Sequence, residues 1–253
     1  MLTQFSRTEL VFGKENMELL KQKTVAVLGA GGVGSFAIEA LARMGIGRLI
    51  LIDKDEVDVT NINRQLPALH TTVGRAKVDV MKERIAAINP DCEVVALRSF
   101  FLEETKDELF QFGLDYVVDA IDTLSAKILL IKECVERKIP IVSSMGAANK
   151  IDPTRFRVVD LKDTRVDPMA KVLRRELKKF GIEKGVKTVS STESPRLQKQ
   201  EVLNEIVSPE KLQTSKIPKE KRPPGSVPYV PSVVGLILSS VVIHDLLGVY
   251  PEP

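Results

Sequence analysis

The sequence predicts an α/β protein with a Rossmann-like, doubly wound and mainly parallel sheet, followed by a C-terminal extension. Short apolar runs alternate with amphipathic segments along the first 145 residues. The first of these runs ends at a glycine-rich turn, and later ones end at aspartates. Strands and helices in such alternation are typical of parallel sheets that are covered by helices on both faces.

The first predicted elements are a strand, a helix and a second strand. Residues Thr24–Leu28 (TVAVL) form an apolar run of the length that suits a strand buried on both faces. Residues 35–44 carry small and apolar side chains at helical spacing, and residues 49–52 (LILI) form the second strand. Lys77–Ile88 is predicted as an amphipathic helix that ends before an Asn-Pro pair.

The same alternation continues to residue 145 and then changes. Further strands are predicted at residues 92–97, 116–120 and 140–143, with a helix at residues 126–137. Beyond residue 150, one more strand is predicted at residues 156–161 and a basic amphipathic helix at residues 169–180.

Two segments near the end of the chain lack this regularity. Residues 192–228 contain few large apolar side chains and many charges, so we predict a long flexible loop. Residues 230–247 are apolar over nearly the length of a membrane span, and they favour a buried helix, with membrane contact as the alternative. We predict a single domain over residues 1–253, with a nucleotide-binding core (1–150) and a substrate-binding extension (151–253).

Composition narrows the function classes. The net charge of +3 permits a polyanionic partner without requiring one. The two cysteines, Cys92 and Cys134, form no C-x-x-C pair, which excludes a disulfide framework and a zinc site with four thiolates. The first ten residues have no apolar signal core, so we expect a cytoplasmic location.

A glycine-rich turn follows the first predicted strand. Gly29, Gly31 and Gly34 fit G-x-G-x-x-G, and Gly32 adds a fourth glycine to the turn. Such a turn lets the backbone approach a phosphate at the N-terminus of a helix. Asp53 ends the second strand, where a carboxylate can accept both ribose hydroxyls. On these features alone, a nicotinamide-dependent dehydrogenase is the leading interpretation, although the turn would serve ATP as well as NAD.

Polar residues beyond Asp53 favour ATP. They supply cations, amides and a spare carboxylate, which suit the attack of a carboxylate on the α-phosphorus of ATP with loss of pyrophosphate. Asp122 could hold a magnesium ion that bridges the phosphates. The predicted catalytic residues are Arg7, Arg64, Lys77 and Asp122. The other predicted ATP-binding residues are Asp55, Thr60, Asn61, Asn63 and Gln65.

Five segments, in order, resemble the ubiquitin-activating-like superfamily of the MoeB and ThiF type. They are Arg7, GAGGVGS, GRLILIDKDEVDVTNINRQ, GRAKV and DAID, and they span roughly residues 1–150. The resemblance implies adenylation of a carboxylate, a homodimer, and an arginine at position 7 that reaches the partner's site. Members of the superfamily often carry zinc cysteines or a catalytic cysteine, and this chain lacks both, so a thioester step is not expected.

A narrower branch matches further along the chain. ALHTTVGRAKVDVMKERIAAINPDC and IDPTRFRVVDLKDT, with Ser191–Glu193 (STE), resemble the tRNA threonylcarbamoyladenosine dehydratases. The resemblance implies that the carboxylate lies on a modified adenosine at tRNA position 37. After adenylation, the ureido nitrogen of the same side chain closes a ring and expels AMP. The resemblance also allows a bound monovalent cation and sulfur-transfer partners of a cysteine desulfurase system.

Basic residues in the second half offer independent support for a tRNA partner. Arg174, Arg175, Lys178 and Lys179 cluster on the predicted helix, and Lys216, Lys219, Lys221 and Arg222 cluster in the predicted loop. Such residues would bind phosphates in a salt-dependent and sequence-tolerant way. The alternative is a solvated charged face without a partner.

The sequence leaves three other functions open. One is adenylation of the C-terminal glycine of a ubiquitin-like sulfur carrier, which shares the chemistry and differs in substrate. Another is a nicotinamide-dependent oxidoreductase, which the polar cluster at residues 61–65 does not favour. The last is a nucleotide-binding adaptor without catalysis, since a fold does not determine a function.

Overall fold

The computed structural model describes residues 2–206 and 223–250. Within them a seven-stranded sheet has the order β3-β2-β1-β4-β5-β7-β6. All neighbouring strands are parallel except β6, which pairs with β7 in the antiparallel sense at one edge. The strands are β1 (Thr24–Leu28), β2 (Arg48–Ile52), β3 (Glu93–Leu97), β4 (Tyr116–Asp119), β5 (Ile141–Ser144), β6 (Phe156–Asp160) and β7 (Lys187–Ser191).

Helices cover both faces of this sheet. Alternate residues of β1 supply the two cores: Val25 and Val27 pack with α2, α3, α4 and α9, whereas Ala26 and Leu28 pack with α5, α6 and α7. The helices are α1 (Ser6–Phe12), α2 (Lys14–Leu20), α3 (Gly34–Arg43), α4 (Lys77–Ile88), α5 (Lys106–Phe110), α6 (Leu124–Glu136), α7 (Pro168–Lys178), α8 (Gln200–Ile206) and α9 (Tyr229–Leu247). The predicted doubly wound, mainly parallel sheet is confirmed.

The sequence pattern missed several elements. Strand β7 (KTVSS) has one large apolar residue, Val189, so its periodicity is weak. Helices α1, α2 and α5 are only five to seven residues long, which leaves too few turns for a clear pattern. The predicted loop at residues 192–228 is wrong in part because α8 lies inside it, and residues 207–222 lie outside the described residues.

Helix α9 packs against α3. Val230, Val234, Leu238 and Val242 of α9 are fully buried in the core that it shares with α3. The two backbones approach closely at Gly235, where a Cβ atom would lie 2.3 Å from the carbonyl oxygen of Val33. By length and composition alone this helix could cross a membrane, but half of its most apolar window is buried within the protein. The packing therefore favours the buried helix, and membrane contact remains an untested alternative.

Strands β1 and β4 create a crevice at their carboxyl ends. From this central pair the chain proceeds to β2 and β3 on one side and to β5 and β7 on the other. Ligands of open α/β sheets bind at such a switch point. A Cβ atom at Gly29 (φ 93°) would lie 2.6 Å from the Ala120 carbonyl oxygen, and one at Gly34 would lie 1.7 Å from the Gly29 carbonyl oxygen. Glycine at these two positions therefore permits the close packing of the turn against β4.

Candidate active site

A cavity of about 540 Å³ occupies this crevice. It lies beyond the carboxyl ends of β1, β2, β4 and β5, where the strand ends and the helix starts bring polar groups together. Of the residues predicted from sequence, the lining includes Gly29, Gly31, Gly32, Asp53, Asp55, Asn61, Arg64, Gln65, Lys77 and Asp122. Residues separated by nearly 100 positions in the sequence thus share one cavity.

Asp53 ties the glycine turn to the end of β2. One of its carboxylate oxygens accepts a hydrogen bond from the backbone N–H of Ala30 at 2.7 Å, and the other accepts from the N–H of Asp55 at 2.8 Å. Each carboxylate oxygen has a further lone pair that can accept a ribose hydroxyl. The contact with Ala30 therefore gives Asp53 a second role, which is to fix the turn.

Lys77 brings a buried positive charge to the cavity. It is the first residue of α4 and is 5% exposed, and its Nζ lies 3.3 Å from Oδ2 of Asp55. Asp55 also pairs with Lys54. Burial opposes ionisation of Asp55, but the hydrogen bonds and charges of Lys54 and Lys77 outweigh it and hold the pKa of this carboxyl below its usual value. The carboxylate thereby compensates the lysine charge when no phosphate is bound.

Arg64 is held by the segment that precedes it. Its Nη1 donates to the Thr60 carbonyl oxygen and to Oδ1 of Asn63, each at 2.8 Å. Burial lowers the pKa of the Arg64 guanidinium. The hydroxyl and N–H of Thr60 both donate to the Asp58 carboxylate, which caps the short helix Val59–Asn61. Thr60 and Asn63 do not line the cavity. Their hydrogen bonds instead orient the side chain of Arg64.

Asp122 and Gln65 offer free acceptors to a ligand. Asp122 follows β4 and is exposed, and Thr123 Oγ1 lies 3.4 Å from one of its oxygens. The side-chain oxygen of Gln65 is buried and has no hydrogen-bond partner within the part of the chain that the structure describes. Asp122 is therefore available to an ion, and the Gln65 oxygen is available to a donor from a ligand.

Two further predicted residues, besides Thr60 and Asn63, do not line the cavity. Gly34 starts α3 behind the turn, so its role is packing and not contact with the cavity. Arg7 is exposed on α1 and does not line the cavity of its own chain. The prediction that it reaches the site of a second chain is untested by a single chain.

The sequence pattern missed part of the lining. Residues 99–102 follow β3, residues 144–148 follow β5, and Met169 lies in the first turn of α7. Pro224, Ser226 and Pro231 close the cavity from the extension. The positions of residues 99–102 and 144–148 at the ends of parallel strands were an available signal, since strand ends in such sheets meet at one edge. Their apolar or small side chains gave no chemical signal.

A buried ion pair lies beneath the cavity. Lys127 and Asp119 are both fully buried, with Nζ and Oδ2 at 2.8 Å. Lys127 also donates to the Ser144 carbonyl oxygen at 3.0 Å, and the Ser143 hydroxyl donates to Asp119 at 2.6 Å. Because these bonds join the ends of β4 and β5 to the first turns of α6, they fix the segments that carry Asp122 and Ser144 to the cavity.

The cysteines do not contribute to the site. Cys92 immediately precedes β3 and Cys134 lies in α6, and both are buried. Burial raises the pKa of Cys92 to about 11 and also raises the pKa of Cys134. A protonated, buried thiol is a poor nucleophile. Their predicted role as core residues agrees with these positions.

The basic helix α7 is less uniform than the sequence suggested. Arg174 is half-buried and donates to the Thr164 carbonyl oxygen at 3.0 Å, so it holds the preceding segment in place. Arg175 and Lys179 pair with Glu176, and Lys178 lies near Glu183. Of the four predicted cations, Arg175, Lys178 and Lys179 are therefore the exposed ones. The four predicted loop cations (Lys216, Lys219, Lys221 and Arg222) lie outside the described residues.

Comparison with known proteins assigns the chain to a family. The model of the ThiF family matches residues 5–253. The chain belongs to the ThiF family. This membership confirms the superfamily resemblance on which the sequence analysis drew.

Several ThiF-family relatives share a more specific name. The tRNA threonylcarbamoyladenosine dehydratase of Bacillus subtilis is 58% identical over 247 residues, which cover 98% of this chain and 96% of the relative. The protein of that name from Escherichia coli is 45% identical over 76% of this chain and 74% of its own. A solved structure of the Escherichia coli enzyme in complex with ATP is 38% identical, with a TM-score of 0.84 over 97% of this chain and 94% of that one.

Proposed function

We propose that this protein is a tRNA threonylcarbamoyladenosine dehydratase. It uses ATP to adenylate the carboxylate of threonylcarbamoyladenosine at tRNA position 37 and then cyclises the side chain. The single observation that carries the proposal is 58% identity along nearly the whole length of a relative with that name. The cavity supports it independently, because it combines a glycine-rich turn, a buried lysine, a half-buried arginine and a free carboxylate.

The residues of the cavity suit the first chemical step. In this step a carboxylate oxygen attacks the α-phosphorus of ATP, and the bond to the leaving pyrophosphate breaks. Lys77 and Arg64 neutralise the phosphates, and Asp53 accepts the ribose hydroxyls. The buried position of Lys77 strengthens its attraction to the developing charge, since less water screens it. Asp55 is proposed to release Lys77 to the phosphates when ATP binds.

Asp122 is suited to a magnesium ion bound through ATP. Magnesium is usually held by one or two carboxylates together with substrate phosphates. Asp122 is exposed at the cavity, and the structure shows no group of three or more acidic, histidine or cysteine side chains for a metal within the described residues. Bound in this way, the ion would neutralise the charge that develops on the leaving pyrophosphate.

The second step needs no nucleophile from the protein. The ureido nitrogen of the substrate attacks the acyl carbon, its proton is lost, and AMP leaves with both electrons of the acyl–oxygen bond. The net result is loss of one water molecule from the nucleoside and conversion of one ATP to AMP and pyrophosphate. The burial and raised pKa of Cys92 and Cys134 agree with a mechanism that omits a thioester.

Labelled ATP tests the proposal directly. The protein is incubated with ATP and either threonylcarbamoyl-modified tRNA or a ubiquitin-like sulfur carrier. We expect AMP release with the modified tRNA, together with loss of one water from the nucleoside. AMP release with the carrier alone would contradict the proposed substrate. Exchange of potassium for a bulky organic cation in the same assay tests whether a monovalent cation assists.

We propose that the enzyme is a homodimer in which Arg7 enters the partner's site. Helix α1 has no buried residue, and Leu10 and Val11 are 82% and 76% exposed beside the exposed Arg7. An exposed apolar helix next to a cation suits an interface between two chains. Sedimentation equilibrium tests the assembly, and a monomer at the assay concentration would exclude this role of Arg7.

Helix α7 is proposed to bind the tRNA backbone. Arg175, Lys178 and Lys179 are exposed on one helix, and phosphate contacts would make tRNA affinity fall steeply with salt. We expect Ala substitution of these three residues to weaken binding and to flatten its salt dependence. Arg174 is left intact because it holds Thr164, and R174A alone serves as the structural comparison. Unchanged affinity in the triple variant, measured by filter binding, excludes the role.

The remaining proposals concern domains, partners and location. We assign the nucleotide-binding core to residues 1–150 and substrate binding to residues 151–253, since Met169, Pro224 and Ser226 add to the cavity from the latter. Sulfur-transfer proteins of a cysteine desulfurase system are proposed partners, which co-purification from cells would test. We propose a cytoplasmic location, and cell fractionation distinguishes it from membrane association through α9.

A further inference from the structure

A short segment of the extension closes one side of the cavity. Residues 223–226, here called the strap, follow the undescribed part of the chain and lead into α9. Pro224 and Ser226 of the strap line the cavity together with the residues at the end of β5. The strap has no helix or strand hydrogen bonds of its own, so its position depends on its contacts with other segments of the chain.

Asn149 holds the middle of the strap. Its backbone N–H donates to the Gly225 carbonyl oxygen at 2.8 Å, and its side-chain oxygen accepts the Gly225 N–H at 2.9 Å. Asn149 also has a left-handed backbone conformation (φ 58°), which is uncommon outside glycine and is best tolerated by Asn and Asp. An uncommon backbone conformation persists only where the surrounding contacts fix it, and here the two hydrogen bonds to Gly225 are such contacts.

Asn63 holds the end of the strap on the nucleotide side. Its side-chain nitrogen donates to the Ser226 carbonyl oxygen at 3.1 Å, and its oxygen accepts from Arg64 at 2.8 Å. The strap is thus connected through Asn63 to the guanidinium proposed for the ATP phosphates. Asn63 supports this end of the strap and Arg64 without Asn149, so loss of the Asn149 side-chain hydrogen bond should leave the support of Arg64 in place.

The loop that carries Asn149 has a rigid base. The adjacent Lys150 is fully buried with Asp167, and the two charges lie 3.2 Å apart. Asp167 also accepts the N–H of Gly146 and the N–H of Ala170, each at 3.0 Å, so it joins this loop to the first turn of α7. Asn149 therefore holds the strap from a fixed support.

The lining residues fall into two groups by their chemistry, here called the nucleotide half and the apolar half. The nucleotide half (the glycine turn, Asp53 and Lys77) carries the groups suited to ATP, whereas the apolar half (residues 144–148, Met169 and the strap, joined by the bonds of Asn149 and Asp167) carries small and apolar groups. We infer that Asn149 is a positioning residue that holds the strap as the outer wall of an acceptor subsite, which takes the carboxylate-bearing nucleoside. This inference rests on the proposed function and assigns the acceptor to the apolar half.

Three substitutions of Asn149 separate its possible roles. N149A removes the side-chain hydrogen bond and strains the backbone, N149G removes the hydrogen bond without strain, and N149D keeps an acceptor of the same shape. We expect N149A and N149G to raise the KM for modified tRNA by roughly 3- to 10-fold, the range for loss of one hydrogen bond. The KM for ATP should change less than twofold, and N149D should recover most of the loss.

The outcomes distinguish the inference from the proposed function. If wild-type protein dehydrates the modified tRNA and N149G has an unchanged KM for it, the inference is wrong and Asn149 serves only its own loop. Equal rises in the KM for ATP and for tRNA would also overturn it, because they would indicate a general structural role. A wild-type chain that consumes no ATP with modified tRNA overturns the proposed function, and the inference with it. Thermal unfolding of each variant confirms that the measured protein is folded.

Discussion

Replacement of Lys77 by methionine should lower kcat for ATP-dependent turnover by about 100- to 1,000-fold, the usual cost of losing one preorganised charge at a transition state. Lys77 is buried at the cavity, and its Nζ forms an ion pair with Oδ2 of Asp55 at 3.3 Å. Methionine has nearly the same volume, so the packing at the start of α4 should be retained while the charge is lost. Steady-state release of AMP from labelled ATP, with modified tRNA at saturation, measures the effect.

A matched substitution on the same helix supplies the control for Lys77. Lys82 is exposed on α4, and K82M removes an identical charge about one turn away. We expect K82M to retain turnover within about twofold, as for most surface substitutions. If K77M and K82M reduced kcat equally, or if K77M retained wild-type turnover, the assignment of Lys77 to the ATP phosphates would fail.

Replacement of Lys127 by methionine should destabilise the protein by about 3–5 kcal/mol, because it leaves Asp119 buried without its partner charge. Both side chains are fully buried, and the same ammonium group also bonds Ser144. For a chain of this size such a loss corresponds to a fall in Tm of about 10 °C. Calorimetry or thermal unfolding followed by circular dichroism measures the shift.

Two further variants test the cause of that loss. In K127M with D119N the buried charge is removed as well, and the amide can still accept the N–H of Ile121. We expect the double variant to recover part of the lost Tm, since no isolated charge remains buried. K132M on the same helix removes a half-exposed lysine whose ion pairs are long, and its Tm should change little. A shift for K127M no larger than that for K132M would contradict the role of the pair.

The nucleotide half of the site was predictable because its signals are local. The turn at Gly29–Gly34 follows a buried strand and opens a helix, so its phosphate-binding geometry is encoded within a few residues. Asp53 directly follows β2 and Lys77 begins α4, and the apolar pattern of both elements is clear. Gly34 was predicted to contact the phosphates but does not line the cavity. The motif cannot distinguish a glycine that contacts a ligand from one that packs against the neighbouring backbone.

The apolar half was not predictable in the same way. The strap and the Lys127–Asp119 pair involve partners far apart in the chain, and no local pattern marks an asparagine that will bond Gly225 at a distance of 76 positions. The separate roles of Arg174 and Arg175 also depend on which side of α7 meets the protein. A charge count on a helix could therefore not show which cations remain free for tRNA.

The sequence by itself determined the class of the sheet, the glycine-rich turn, the cations proposed for ATP and the branch of the family that the chain resembles. Local periodicity and short motifs are sufficient for these because each is encoded by neighbouring residues. Only the tertiary structure decided that Thr60 and Asn63 orient Arg64, that Lys127 and Lys150 are buried in ion pairs, and that the strap lines the cavity. These features arise from contacts between distant segments, and those contacts determine whether a charge is enclosed with a partner, as in Lys127 and Lys150, or lines the cavity, as in Lys77.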